Sequence, residues 1–353
     1  MIIKLNSASL LSGMQSVTKS VSTSNVIPAL TNYLFDIRNT DIRIIGNNME
    51  TQISTKINCD SDGMGLFAAP QTLLQLLRAL PNQGIELDIN DLLLTVKYAG
   101  GSAEMPVIDG GEFPILKNDT KKTLVINGTD FAASIKKAAF AIDDDSSLPL
   151  GCLSVKITPN QLRITTCNRH VLCDITHVIN GNVTADLMIP SKSIPILSEL
   201  EGDISVIISK NTIGFYCENT SIICTLVDMD YPDVDSVIPK DNPIQSEVSR
   251  GHLLAAVKRT MTFANRETLT LKMDFADKLN ISSGDAGLKL KGYETVACSG
   301  GELTIGLNAK YLADVLSRVD DDVLTFQMSA HNRAIMTKKD NELFLIMPAM
   351  LKN

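Results

Sequence analysis

Tryptophan is missing from the 353 residues, aromatic side chains make up only 5% of them, and histidine occurs four times. With so few rings there is no aromatic-rich signature of the kind that stacks unpaired RNA bases. Neither CxxC nor HExxH occurs, and zinc-finger spacing and a basic-zipper region are likewise absent. The usual metal sites and base-reading modules are therefore not indicated, and no cofactor is expected. Nowhere do some eighteen apolar residues run together, and MIIKLNSASLLSG at the amino terminus is too short an apolar stretch for a signal peptide. A cytoplasmic protein with no membrane partner is expected. Its seven cysteines lack framework spacing, which suits free thiols in a reducing compartment, most of them acting as small buried apolar residues. Positive charge is also short, with 32 basic against 40 acidic residues, a formal charge of −8 and a pI near 5.1. Those totals argue against a protein that coats nucleic acid with its whole surface.

What is present is a folded chain, 44% hydrophobic, too long for one ordinary core and written as a repeat. The period is about 120 residues. Its first marker is an apolar strand, a Pro or Asn pivot, then a helix: LFAAPQTLLQLLRALP from Leu66, LMIPSKSIPILSELEG from Leu187 and LTIGLNAKYLADVLSRV from Leu303, with pivots Pro70, Pro190 and Asn308. Its second marker is a helix opening each unit. Leu10, Met14, Val17 and Val21 recur at helical spacing in the first, Phe131, Ile135, Ala138 and Ile142 in the second, and Leu253, Val257 and Met261 in the third. Alternating runs such as TLVIN, LSVKI, LRITT, IGFYC and LNISS read as strands between them. Many strands with two helices per unit describe an α+β class, helices on one side of antiparallel sheet. Linker signals EFPILKNDTKK and DYPDVDSVIPKDNP place boundaries near Asp119 and Pro243, giving repeats 1–119, 120–243 and 244–353.

Charge is polarised along this repeat. The six helical windows (7–21, 71–80, 130–141, 191–200, 250–264 and 309–319) hold ten bases: Lys19, Arg78, Lys136, Lys137, Lys192, Arg250, Lys258, Arg259, Lys310 and Arg318. The same windows hold three acids, Asp130, Glu199 and Asp314, so the helices carry +7 and the remainder −15. Lys19 falls opposite Leu10, while His252 and Arg259 share a face turned away from Val257. A basic helical layer on an acidic body can attract DNA on one surface only, and with no base-reading module its contacts would be to phosphates. Lysine on solvated helix faces is the plainer explanation of the same pattern.

Three α+β repeats, basic helices and the apolar ending FLIMPAMLKN together resemble the bacterial DNA polymerase sliding clamps over the length of the chain. VDMDYPDVDSVIP is similar to that family's linker into its third domain. LRITTCNRHVLC falls where the family has a Thr-Asp-Gly-His-Arg-Leu turn, of which Thr166 is kept while Cys167, Asn168, Arg169, His170 and Val171 depart. The resemblance implies a non-enzymatic ring of six repeats from a head-to-tail homodimer, encircling duplex DNA and tethering the replicative polymerase. It also implies a clamp loader and other clamp-binding-motif proteins as partners, and a peptide groove between the second and third repeats. By position that groove would comprise Pro149, Thr166, Asn168, Arg169, His170, Val171, Pro232, Val237, Leu345, Ile346, Met347, Pro348, Ala349, Met350 and Leu351. Ring closure would set Thr72, Leu76, Ala103 and Met105 against Thr262 and Phe263, with Leu76, Met105 and Phe263 exposed on a lone chain. Ala103 stands where the family commonly has a large aromatic and Ser24 where a basic loop residue is typical, while Asp143, Asp144 and Asp145 occupy a loop that in relatives can touch DNA.

Two other function classes compete. A metal or thiol site would draw on Cys167, His170, Cys173 and His177, but a step of three in a strand turns side chains to opposite faces. A repeat-built protein-interaction scaffold without nucleic acid is the other.

Overall fold

The computed structural model describes residues 1–23, 26–119, 122–145 and 147–351. Six α-helices lie within them: α1 (Ser7–Val17), α2 (Gln71–Ala79), α3 (Gly128–Ala138), α4 (Ile194–Leu197), α5 (Arg250–Met261) and α6 (Ala309–Leu316). Local chemistry fixes where these begin. The Asn6 side chain accepts from the amides of Ala8 and Ser9 at the start of α1, and Asn308 does the same for Lys310 and Tyr311 at the start of α6. Pro70 precedes α2 in extended conformation and needs no amide partner there. Of the expected helical stripes, Leu10, Met14, Val17 and Val21, Phe131, Ile135 and Ala138, and Leu253 and Val257 are buried, while Ile142 and Met261 are half-buried.

The fourth helix is much shorter than its 191–200 window. Pro195 has no amide to donate back along a helix, so Ser191–Ser193 form a 3-10 turn and only Ile194–Leu197 are α-helical.

The chain forms two compact units, Met1–Ala132 with Lys192–Asp228, and Ala133–Ser191 with Met229–Asn353. The first holds a five-stranded antiparallel sheet in spatial order Asp60–Ser61, Ile2–Asn6, Gly84–Asn90, Leu93–Tyr98, Gly101–Pro106. It also holds a nine-stranded sheet in which Thr51–Asn58 pairs with Thr220–Thr225, strands some 170 residues apart, Ile53 opposite Ile222. Hydroxyls run along that junction, Ser54 to Ser221 at 2.8 Å and Thr55 to Thr220 at 3.3 Å. The second unit contains a twelve-stranded run that includes the pairing of Val171–Val178 with Glu342–Ile346, Val171 opposite Ile346 and Cys173 opposite Phe344. Sheets therefore cross from one sequence repeat into the next, and compactness follows the sheets.

Candidate functional site

In the second unit the turn between Gln161–Cys167 and Val171–Val178 meets the end of the chain. Asn168 builds the turn, its Oδ1 accepting from the amides of His170 and Val171, and Arg169 takes a positive φ of 72°. This leaves Arg169 and His170 exposed. The Arg169 guanidinium pairs with Asp143 at 2.8 Å, and the His170 ring stacks on Tyr311 of α6, centroids 5.3 Å apart and planes 16° apart. Asp143 is held below the usual carboxylate range, chiefly by a hydrogen bond from the Asp145 amide, and Arg169 adds to the effect. The terminal segment leaves its strand here. Met347 N–H donates to the His170 carbonyl and Ala349 N–H to the Gly306 carbonyl, both at 2.8 Å.

Of the fifteen groove positions, Pro149, Asn168, Arg169, His170, Pro232, Val237, Met347, Pro348, Ala349, Met350 and Leu351 keep accessible surface. The other four do not. Thr166 is fully buried with its hydroxyl donated to the Ala138 carbonyl at 2.8 Å, and Val171, Leu345 and Ile346 are buried in the joined sheet. They back the surface rather than form it: Leu345 and Ile346, consecutive in their strand, point to opposite faces of the sheet, and both faces are covered. Sequence reasoning passed over Tyr311 and Gly306. A glycine inside the strand Leu303–Asn308 was the available signal for a close backbone approach, and a β-carbon there would sit 2.3 Å from the Ala349 carbonyl.

The linker is not a loose tether. Val234 joins Leu172, Met336, Leu343 and Leu345 in a buried cluster flanked by Tyr231 and Ile238. Asp235 receives both terminal nitrogens of Arg163 at 2.6 and 3.1 Å, while Arg163 Nε reaches Asp174 at 2.7 Å. The Arg163 pairing draws the Asp235 carboxyl below its ordinary range.

The ten helical bases divide. Arg78, Lys136, Lys258 and Lys310 are exposed and have no ion pair within 4 Å among the described residues. Lys19 pairs with Glu199, Lys192 with Glu50 and Arg259 with Glu294, each base remaining about half exposed or more. Three are used internally. Lys137 is 17% exposed and bridges Asp320 and Glu342, each at 2.6 Å. Burial alone would lower its pKa, but the two carboxylates outweigh that and raise it. Arg250 donates to the Asp321 and Leu316 carbonyls, and Arg318 lies over the Phe140 ring at 4.3 Å while bonding Asp314. A base on a helix is thus not always offered to solvent.

Of the positions expected to close a ring, Ala103 and Met105 lie on one sheet edge and Phe263 lies against another. Gly101–Pro106 ends the five-stranded sheet, and Leu290–Gly300 is joined on its second side only at 298–300. Thr72, Thr262 and Phe263 are exposed, Phe263 at 40%, and Leu76 and Ala103 are half-buried. Met105 corrects its expectation. At 5% exposure it belongs to the core, since it faces inward opposite Leu94. Phe263 packs against Gly292, where a β-carbon would come within 2.8 Å of its ring.

The cysteines and histidines of the competing site have separate surroundings. Cys173 is fully buried and its pKa is raised by burial, His177 Nε2 lies 2.7 Å from the Ser134 hydroxyl, and His170 is stacked on Tyr311. Burial also pushes Cys224 up to about 11. Among the described residues no group of three or more His, Cys, Asp or Glu side chains could hold a metal, and no helix is long and apolar enough to cross a membrane. Ser24 lies outside the described residues.

Comparison with known proteins covers nearly the whole chain. Residues 1–117, 125–233 and 235–349 match the N-terminal, central and C-terminal domains of the DNA polymerase III beta subunit. The beta sliding clamp of Pseudomonas putida is 22% identical over 358 residues, 97% of this chain and 98% of the relative. Among solved structures, the DNA polymerase III subunit beta of Pseudomonas aeruginosa superposes with a TM-score of 0.94 at 21% identity, covering 99% and 100% of the two chains. The Bacillus subtilis sliding clamp gives 0.92 at 21% identity with complete coverage of both. Three consecutive domain matches, in order and without a gap longer than a linker, mean that this chain belongs to the DNA polymerase III beta subunit family of bacterial sliding clamps.

Proposed function

We propose that the chain, as a head-to-tail homodimer, closes into a ring around duplex DNA, contacts it through phosphates without reading sequence, and tethers the replicative polymerase and other partners. It acts as a processivity factor and catalyses nothing itself. The observation that carries this reading is the threefold family match in chain order, one clamp domain each over residues 1–117, 125–233 and 235–349. The four unpaired helical bases support the DNA-facing part: free cations on an acidic chain are available to phosphates without breaking internal ion pairs. Open strand edges, one carrying Ala103 and one lying against Phe263, support closure through a second copy, since a lone edge leaves backbone donors and acceptors unpaired.

Partners are proposed to dock as short, mostly apolar peptides on the surface formed by His170, Arg169, Pro232, Val237 and the 347–351 segment. A leucine or phenylalanine buried there would contribute roughly 1.5–3 kcal/mol. Methionine suits a surface serving several ligands. The deciding test is topological. Loaded by its clamp loader, the protein should stay on nicked circular DNA through gel filtration and be lost once the circle is linearised. Equal loss from both forms would defeat the ring reading and leave the scaffold alternative.

A further inference from the structure

Beyond the groove, the outer face of the sheet containing Thr270–Phe275, Lys278–Asp285 and Leu290–Gly300 carries a hollow of about 780 Å³. That volume is within the range of ligand sites, about 300–1,000 Å³. Its floor is small and polar, at Ser282 and Gly284. Lys272 and Lys291 stand over it, and Tyr293 and Met350 rise on its sides. We propose that this hollow receives an acidic flank of the same partner segment whose apolar core fills the groove, an inference that rests on the reading above.

Continuity is the first argument. The terminal segment is bonded to His170 through Met347 and to Gly306 through Ala349, and its next two side chains, Met350 and Leu351, wall the hollow. From Met347 to Met350 an extended chain advances roughly 10 Å, so a bound segment following it needs only three or four residues beyond the core to arrive.

Charge is the second argument. Lys272 is matched by Asp274 at 2.9 Å. Asp285 is buried with both oxygens engaged, one by Asn265 Nδ2 at 3.1 Å and one by the Leu288 amide at 3.0 Å. Lys291 has no ion pair among the described residues, so it is the cation of the lining left to meet an incoming carboxylate. Tyr293 is 72% exposed and Met350 92%, which gives the flank an aromatic face and a thioether to lie against while a carboxylate reaches Lys291.

The test uses the full-length protein and fluorescently labelled peptides. A short peptide of alternating leucine and alanine ending in phenylalanine serves as the apolar core, and two further versions carry glutamates added before or after it. One extended version should bind about fivefold to tenfold tighter than the core at low salt. Lys291→Glu and, on a central strand away from the open edge, Ser282→Glu should each remove that gain while core affinity stays unchanged. Extension without gain at either end, or a gain that survives both variants, overturns the hollow while leaving the groove standing. Failure of the core peptide to bind at all overturns the groove, and the hollow with it.

Discussion

At the scale of single residues, the linker contact between Asp235 and Arg163 shows how a charge can carry a pH dependence. The folded carboxyl of Asp235 sits below its ordinary value because Arg163 holds it charged. The stabilisation is therefore complete above the unfolded aspartate pKa of about 3.9 and is lost as pH falls through the depressed folded value. Asp235 is well exposed, so the effect is small. Asp235→Asn should lower the melting temperature by roughly 1–3 °C at pH 7, and the difference from wild type should shrink in thermal unfolding as pH falls through the depressed folded value. Thr166 behaves differently, being fully buried with its hydroxyl on the Ala138 carbonyl. Thr166→Val should cost about 1–3 kcal/mol in denaturant unfolding, by leaving that carbonyl without its partner. The family turn singles out Thr166 by position, yet its alternation within LRITTC points it inward, a direction legible in the sequence itself. Arg163 is not legible in this way. Its partners lie 11 and 72 residues away, and nothing in a local window announces such a pairing.

At the scale of elements, periodicity revealed the helices well because each buries a single stripe, and it misjudged them where one residue breaks the hydrogen-bond ladder, as Pro195 does in the fourth. It also could not tell an offered base from an employed one. Lys136 and Lys137 are neighbours on α3, but a step of 100° leaves the first in solvent and puts the second between Asp320 and Glu342. Reversing them should separate two roles. Lys136→Glu should weaken retention on circular DNA with melting unchanged, whereas Lys137→Glu crowds three carboxylates together and should lower the melting temperature; equal melting of the two variants would contradict the assignment. The terminal segment offers a second such case. It crosses its neighbouring strand only because Gly306 has no side chain, so Gly306→Val should displace it from the Ala349 carbonyl onward. Partner-peptide affinity should fall at least about tenfold with the rest of the fold intact, as read by peptide titration beside far-ultraviolet circular dichroism.

At the scale of the whole molecule the question is what closes the two open edges. The threefold repeat was legible in the sequence because each of its two markers is a local pattern that recurs in the same order. The edges were not, since whether a strand is paired depends on chain far away in sequence. The structure leaves Gly101–Pro106 unpaired on one side and most of Leu290–Gly300 unpaired on another, with Phe263 partly exposed across Gly292 beside the second. Unpaired edges of this length invite a second chain, and apolar side chains beside them add the burial that makes association durable. Met105 is not one of those side chains, because it already packs against its own sheet, so charge placed there would unfold the domain instead of parting two subunits. The informative substitutions are at accessible positions. Leu76→Asp with Phe263→Asp should yield a folded monomer by sedimentation velocity at micromolar concentration, where the wild-type chain sediments as a dimer. The variant should keep its partner-peptide affinity, since neither residue touches the terminal segment, and should lose retention on circular DNA. A wild-type chain that is monomeric at that concentration, or a double variant that remains dimeric, would place the closing surface elsewhere.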